Sequence, residues 1–359
     1  AFCIEQVKFR SKKAFLALPE KPFSVYNNVY VTFCDRSICP AVKGGITVSR
    51  CLLIVNPTAG RERAKYFKEP LKKQLDTMYD EVEMRITTGP GDATDWAREA
   101  SLTKFDAVFC MGGDGTLNET VNGLALAGRS SITFGFIPLG TVNDLGRALS
   151  MPLHPEAAIA GLKDAHIQRV DIARANDRYF VNTIAAGFMP EAVSHVSIEQ
   201  KTRLGPLAYF LTGLKALQNH ETYLFKIEND EGVYIHRSPL IVIMLTNSVG
   251  SFRNLAPAAQ VDDGKLWVGV FKDCSYLDMI KAIPEFLAGS PLSSEYMSLS
   301  TTTHLKITLI DGSLTTNMDG DKGPDFPLEL EIIPSFLNVC VPAAPPSSLP
   351  LVHLLPHKG

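Results

Sequence analysis

The sequence predicts an α/β protein, with an N-terminal doubly wound α/β domain followed by a C-terminal antiparallel β-sandwich domain. Two observations predict it. Across residues 51–170 short apolar strands alternate with helical stretches, which argues for a parallel sheet with helices on both faces. Across residues 171–335 runs of β-branched and aromatic residues are separated by turn signals such as Asn229-Asp230-Glu231-Gly232 and Asp262-Asp263-Gly264. That texture belongs to an antiparallel sheet or sandwich.

The elements follow in order. Residues 51–56 read as an apolar strand and 61–79 as a charged helix. Residues 82–87 read as a strand, with Glu83 and Arg85 facing opposite to Val82, Met84 and Ile86. Residues 92–102 read as a helix with Asp92 as N-cap. Strands follow at 107–111 and 133–138, with a helix over 117–126 between them. The second half yields strands at 179–184, 223–229, 233–236, 240–246, 265–271, 305–310 and 328–333, interrupted by helical inserts near 206–219 and 276–287. Residues 1–50 show no sustained period and read as an atypical extension, and 343–359, rich in Pro and Ser, as a disordered tail.

Composition excludes several classes. Thirty-five Lys and Arg against 38 Asp and Glu give a net charge of −3, and no basic run is long enough to suggest nucleic acid. The seven cysteines are odd in number and scattered, so a reducing, cytosolic setting is the simplest reading. No apolar run approaches the ~20 residues that span a bilayer, and the N-terminus lacks a signal-peptide pattern, so membrane contact is expected to be peripheral. No Gly-x-Ser-x-Gly elbow is present, which argues against a serine hydrolase.

Four loops with phosphate-binding character follow strands of the first half. They are Asn56-Pro57-Thr58-Ala59-Gly60, Thr87-Thr88-Gly89-Pro90-Gly91-Asp92, Gly112-Gly113-Asp114-Gly115-Thr116-Leu117-Asn118-Glu119, and Pro138-Leu139-Gly140-Thr141-Val142-Asn143-Asp144. In a doubly wound sheet such loops lie together at the carboxyl ends of the strands, where ligands bind. Glycine allows close backbone approach, and a helix start offers free N–H groups to an anion. The third loop suits a nucleotide phosphate, although neither the dinucleotide nor the Walker spacing is present. Asp114 reads either as a helix cap or as a group serving the nucleotide or its metal. Glu119, in the first helical turn, can be answering the helix dipole alone.

The second half carries Asn317-Met318-Asp319-Gly320-Asp321-Lys322-Gly323. Asp-Gly is a strong hairpin signal. Alternatively, Asp319 and Asp321, two apart on an extended segment, would point the same way and supply a general base for a hydroxyl attacking a γ-phosphate. Asp262-Asp263-Gly264 reads as a plain turn before it reads as a cation site. The apolar segment 204–217 reads as a core helix, with a lipid-sized pocket or bilayer contact as the alternative.

Together these motifs resemble the soluble bacterial diacylglycerol kinases, of the superfamily that also holds sphingosine and ceramide kinases. The resemblance covers about residues 51–342 and includes Gly205-Pro206-Leu207-Ala208-Tyr209, Leu245-Thr246-Asn247-Ser248 and Asn317-Met318-Asp319-Gly320. Gly-Gly-Asp-Gly-Thr alone is shared with NAD kinases, whereas the motif beginning Thr141-Val142-Asn143-Asp144 is specific to this branch. The resemblance implies ATP and Mg²⁺, phosphorylation of diacylglycerol to phosphatidic acid, and an active site between the two domains. It implies work at the inner face of the membrane by a cytoplasmic, peripherally associated enzyme, and a homodimer is compatible with it. A last strand near 336–342 would return to the first domain. By position, ATP would contact Asn56, Pro57, Thr58, Ala59, Gly60, Thr87, Gly113, Asp114, Gly115, Thr116, Leu117, Asn118, Glu119 and Thr141. A structural Mg²⁺ would sit at Gln260, Asp263 and Lys265, the first and last through backbone carbonyls. The resemblance makes Asp321 the general base, with Asp319 assisting or binding metal. Asp321 stands where the family usually has Glu, one methylene longer. Alternative readings are a kinase for another lipid alcohol, such as a sphingoid base or an undecaprenol-like alcohol, or a nucleotide-binding regulator without turnover.

Overall fold

In the computed structural model, the residues described are 48–128, 131–187, 222–250, 255–273 and 293–344. The chain divides into units Ala1–Ile46 and Thr47–Gly359, and every described residue belongs to the second. The extension up to residue 47, the expected helices near 206–219 and 276–287, and the tail from 345 lie outside the described residues.

The first half alternates strand and helix. It runs β1 (Arg50–Val55), α1 (Ala59–Glu62), α2 (Ala64–Leu75), β2 (Glu81–Ile86), α3 (Asp92–Leu102), β3 (Ala107–Gly112), α4 (Asp114–Leu126), β4 (Thr133–Pro138), α5 (Asp144–Ala148) and α6 (Pro155–Gly161). The strands β2-β1-β3-β4 pair in that order, all parallel. Buried residues such as Leu52, Val108 and Phe134 pack on one face, and Leu53, Phe109 and Ile137 on the other. A strand covered on both faces must be apolar throughout, which is why β1 and β3 read as continuous apolar runs. The expected helix over 61–79 is instead two pieces. Glu62 has φ +62°, and α2 starts at Ala64. Asp92 is the first helical residue rather than the cap. Its carboxylate accepts N–H bonds from Thr88 (2.7 Å) and Gly89 (3.1 Å), and Gly91, at φ +90°, is the cap.

The second half runs β5 (His166–Ala175), β6 (Arg178–Phe180), β7 (Thr183–Gly187), β8 (Tyr223–Asn229), β9 (Gly232–Ser238), β10 (Leu240–Met244), β11 (Leu266–Phe271), β12 (Met297–Thr302), β13 (His304–Leu309), β14 (Thr316–Met318), β15 (Asp321–Lys322) and β16 (Leu328–Val341). Strands β12-β11-β10-β7-β14-β15 form an antiparallel sheet. It packs against the sheet of β13, β8 and the start of β16 through Phe180, Ile184, Phe225, Ile243, Val268, Leu305 and Leu330, giving the sandwich core.

Sequence reading separates strands at 328–333 and 336–342, but these are one strand, β16. The break is a register irregularity between Ile333 and Leu337, with Ser335 at φ +52° and its N–H bonded to the Asp171 carboxylate at 2.5 Å. A bulge inserts residues into a ladder without ending it. β5 runs beside β16 across this irregularity. Residues 328–331 of β16 also pair with β13, and residues 338–340 pair in parallel with β4. The β5–β16 ribbon therefore belongs to both lobes.

Candidate active site

The ends of β1, β3 and β4 place three of the four glycine loops side by side. Asn56 donates from Nδ2 to Thr116 Oγ1 (2.9 Å), joining the first loop to α4, while its Oδ1 accepts from the Thr58 N–H (3.1 Å) and hydroxyl (2.9 Å). The third and fourth loops run so close that a Cβ on Gly140 would lie 3.0 Å from the Gly113 Cα and 2.7 Å from Asn143 Oδ1. Gly60 sits at φ +61°, and a Cβ there would meet the Leu139 carbonyl at 2.7 Å. Only glycine fits such backbone approaches. Thr87 continues from β2 with its N–H on the Val55 carbonyl (2.9 Å). Pro57, Thr58 and Thr141 are exposed and Ala59, Gly60, Gly113, Gly115 and Glu119 half-buried, whereas Thr116, Leu117 and Asn118 are buried.

Asp114 uses its carboxylate within the protein. Its oxygens accept the backbone N–H groups of Asn143 (2.9 Å) and Asp144 (3.1 Å), so it ties the fourth loop to the start of α4. Burial pushes its pKa up to about 6. The two N–H bonds pull the other way, and the carboxylates of Asp144 and Asp319 raise it further. A carboxyl whose pKa is higher folded than unfolded favours the fold while protonated. That contribution is full below about 3.8 and is lost as pH rises through about 6. Urea unfolding of the wild type and of Asp114→Asn at pH 4, 5, 6 and 7 should show the stability difference between them changing across this window and flat above it. A constant difference would remove Asp114 as the titrating group.

Asp144 is buried and reaches the other lobe. It accepts from Ser248 Oγ (2.7 Å) and from the Gly250 N–H (2.8 Å). Asn118 and Asn122, one turn apart on α4, make a second bridge. Asn122 exchanges two bonds with the Tyr179 backbone (2.8 and 2.9 Å), and Asn118 donates to Asp319 Oδ2 (2.8 Å).

Asp319 and Asp321 do not point the same way. Met318 pairs with Asp321, so Asp319 and Gly320 form the tip of a tight hairpin, with Asp319 at φ +50°. Asp319 turns inward and is buried. Its carboxylate accepts four N–H donors: Asn118 Nδ2 and the backbones of Val181 (2.9 Å), Asn182 (3.0 Å) and Thr183 (2.8 Å). Burial raises its pKa against the pull of these donors. Asp321 is exposed, and its Oδ2 lies 3.5 Å from where a Cβ on Gly115 would be. The hairpin of the second lobe thus hangs a carboxylate over the first turn of α4.

The turn at Gln260, Asp263 and Lys265 makes its described contacts elsewhere, with β5 and the β16 bulge. Gly264 donates to Asp171 (2.7 Å), and Gln168 to Asp262 (2.9 Å). Asp263 accepts from the Gln260 N–H (3.2 Å), the Lys265 N–H (3.0 Å) and Trp267 Nε1 (2.8 Å). Among the described residues no three His, Cys, Asp or Glu side chains converge as metal ligands. A hard cation at this turn would draw on the remaining lone pair of Asp263 Oδ1, on backbone carbonyls and on water, a donor set that Mg²⁺ accepts.

Comparison with known proteins identifies the chain's relatives. Residues 50–175 match the diacylglycerol kinase catalytic domain, and residues 182–341 the YegS C-terminal NAD kinase beta sandwich-like domain. A diacylglycerol kinase of Bacillus subtilis is 32% identical over 296 residues, 82% of this chain and 97% of that protein. One from Staphylococcus saprophyticus is 37% identical over 216 residues, 60% of this chain and 70% of that protein. A crystal structure of a diacylglycerol kinase from Bacillus anthracis superposes with a TM-score of 0.70 at 26% identity, covering 83% of this chain and 98% of that one. The chain therefore belongs to the bacterial diacylglycerol kinase family and is a lipid kinase of that family.

Proposed function

We propose that the protein transfers the γ-phosphoryl group of ATP to the free hydroxyl of diacylglycerol, giving phosphatidic acid and ADP. The observation that carries this reading is the Asp321 carboxylate set over the N-terminal turn of α4. The loops at 56–60, 113–119 and 140–141 hold the phosphate chain, with N–H groups and the positive end of the α4 dipole facing its charge. Thr87 borders the nucleotide beyond them. Asp321 accepts the proton of the attacking hydroxyl as the oxygen–phosphorus bond forms and the bond to the ADP oxygen breaks. Asp319 keeps the hairpin in register, and so aims Asp321. Mg²⁺ carried in on the nucleotide's phosphates would supply neutralisation of the charge developing on the phosphoryl oxygens. A structural Mg²⁺ would be held at the turn by Asp263 and the backbone carbonyls of Gln260 and Lys265.

The acceptor lies in a bilayer, and among the described residues no helix is long and apolar enough to cross one. We place its action peripherally at the cytoplasmic face of the membrane, where ATP and a bilayer-borne acceptor meet. Radiolabelled ATP with dioleoylglycerol in mixed micelles, run beside a sphingoid base and an undecaprenol-like alcohol, tests the reading. Labelled phosphatidic acid as the dominant product is expected. Preference for another alcohol would reassign the acceptor. Tight ATP binding with no product from any of them would favour a regulator, the reading that the shorter Asp321 motivates.

A further inference from the structure

Strand β15, which carries Asp321, ends its sheet, and among the described residues no strand lies beyond it. It is two residues long and pairs with β14 alone. Gly323 donates its N–H to the Thr316 carbonyl (2.8 Å), so Thr316 and Gly323 face each other as a hydrogen-bonded pair. Such pairs alternate with non-bonded ones along an antiparallel ladder. Asn317 and Lys322 are the next pair, so the N–H and C=O of Lys322 point away from β14. The ladder therefore holds this strand from one side only.

The turn between β5 and β6 closes the open side. Arg178 Nη1 donates to the outward carbonyl of Lys322 (2.5 Å). Asn176 donates from Nδ2 to the carbonyls of Asp325 (3.3 Å) and Pro327 (3.1 Å). It also exchanges two bonds with the Glu329 backbone (2.8 and 2.9 Å). One turn thus gathers the segment that leads from Asp321 into β16, and the Arg178 bond is the one adjacent to Asp321.

Strand β6 faces two ways, because successive side chains alternate across a strand. Arg178 and Phe180 share one face, and Phe180 belongs to the sandwich core. Tyr179 turns the other way and packs against the core of the first lobe. The backbone of Tyr179 is the group clamped to Asn122 of α4. Neighbouring residues of β6 therefore hold α4 and the strand of Asp321.

We propose that Arg178 is a positioning residue for Asp321, its bond to the Lys322 carbonyl setting the distance between the Asp321 carboxylate and the first turn of α4. This rests on the reading of Asp321 as the base. Proton transfer needs a heavy-atom approach of about 2.6–3.2 Å, and a misplacement of about 1 Å can cost 10²-fold in rate. A guanidinium suits the task. Its bond to a carbonyl is charge-assisted, and its planar fork loses less freedom per hydrogen bond than a lysine. Arg178 acts through the hairpin and not on the nucleotide.

Steady-state kinetics in mixed micelles, with Tm by calorimetry, tests this. Arg178→Met is expected to lower kcat about 10- to 50-fold and leave KM for ATP within about twofold. Its Tm should move by no more than about 2 °C, because the bond is exposed. Arg178→Lys, which keeps a donor, should recover most of the loss. In an Asp321→Asn background, Arg178→Met should cost less than about twofold more, because the group it aims is already disabled. Wild-type kcat in Arg178→Met overturns the proposal. So does a loss carried by KM for ATP, or a full further loss in the Asp321→Asn background, which would place Arg178 on the phosphoryl group itself. A normal Arg178→Met beside an inactive Asp321→Asn sinks this inference alone, whereas wild-type turnover by Asp321→Asn sinks the reading beneath it as well.

Discussion

Asp321→Asn is expected to lower kcat by about 10³-fold while leaving ATP affinity within about twofold. The amide keeps the volume and the exposed position of the carboxylate but cannot take a proton. Among the described residues the Asp321 carboxylate makes no hydrogen bond or ion pair and is exposed, so folding and nucleotide binding should be spared. Asp321→Glu provides the control. The added methylene reaches further over α4, and Gly115 has no side chain to obstruct it, so activity should stay within about tenfold of wild type. Steady-state kinetics in mixed micelles, with ATP binding by calorimetry, separates the two effects. Wild-type turnover by Asp321→Asn would remove Asp321 as the base.

Asp319→Asn should act on stability first. Four N–H donors converge on the buried carboxylate. An amide offers one acceptor oxygen and turns its own NH₂ toward donors that need an acceptor. Buried donors left unpaired cost about 1–3 kcal/mol each, and partial relaxation brings the total to about 4 kcal/mol. For a chain of this size that is a fall of roughly 5 °C in Tm, readable by calorimetry. Activity should fall as well, because the hairpin that presents Asp321 is pinned by Asp319. A variant with normal Tm but no turnover would instead place Asp319 in the chemistry itself.

The contrast between these two aspartates marks the limit of what the sequence carried. The parallel strands, the loops that follow them and the antiparallel second half were legible, because burial on two faces and burial on one leave different periodicities. The Asp319-Gly320-Asp321 run carried a hairpin reading beside an extended one, and the hairpin is what forms. Read as an extended segment, it sends both carboxylates one way; as a two-residue hairpin, it sends one inward and one outward. The sequence separates strands at 328–333 and near 336–342, on either side of Pro334 and Ser335. Here Asp171 captures the Ser335 N–H and the ladder continues. The Asn122–Tyr179 clamp was missed altogether. A signal existed in Asn118 and Asn122, poor helix formers one turn apart on a helix whose other buried positions are mostly apolar or small.

The continuity of β5 and β16 across the bulge also constrains motion. The lobes are joined by a hydrogen-bonded two-stranded ribbon, so they cannot swing about a flexible tether. Any change in the gap between Asp321 and α4 must be absorbed as twist in that ribbon, with the irregular stretch around Ser335 the compliant point. The Asp144–Ser248 and Asn122–Tyr179 bonds act as braces on either side of the cleft. Substrate entry then resembles the flexing of a leaf spring rather than the opening of a door.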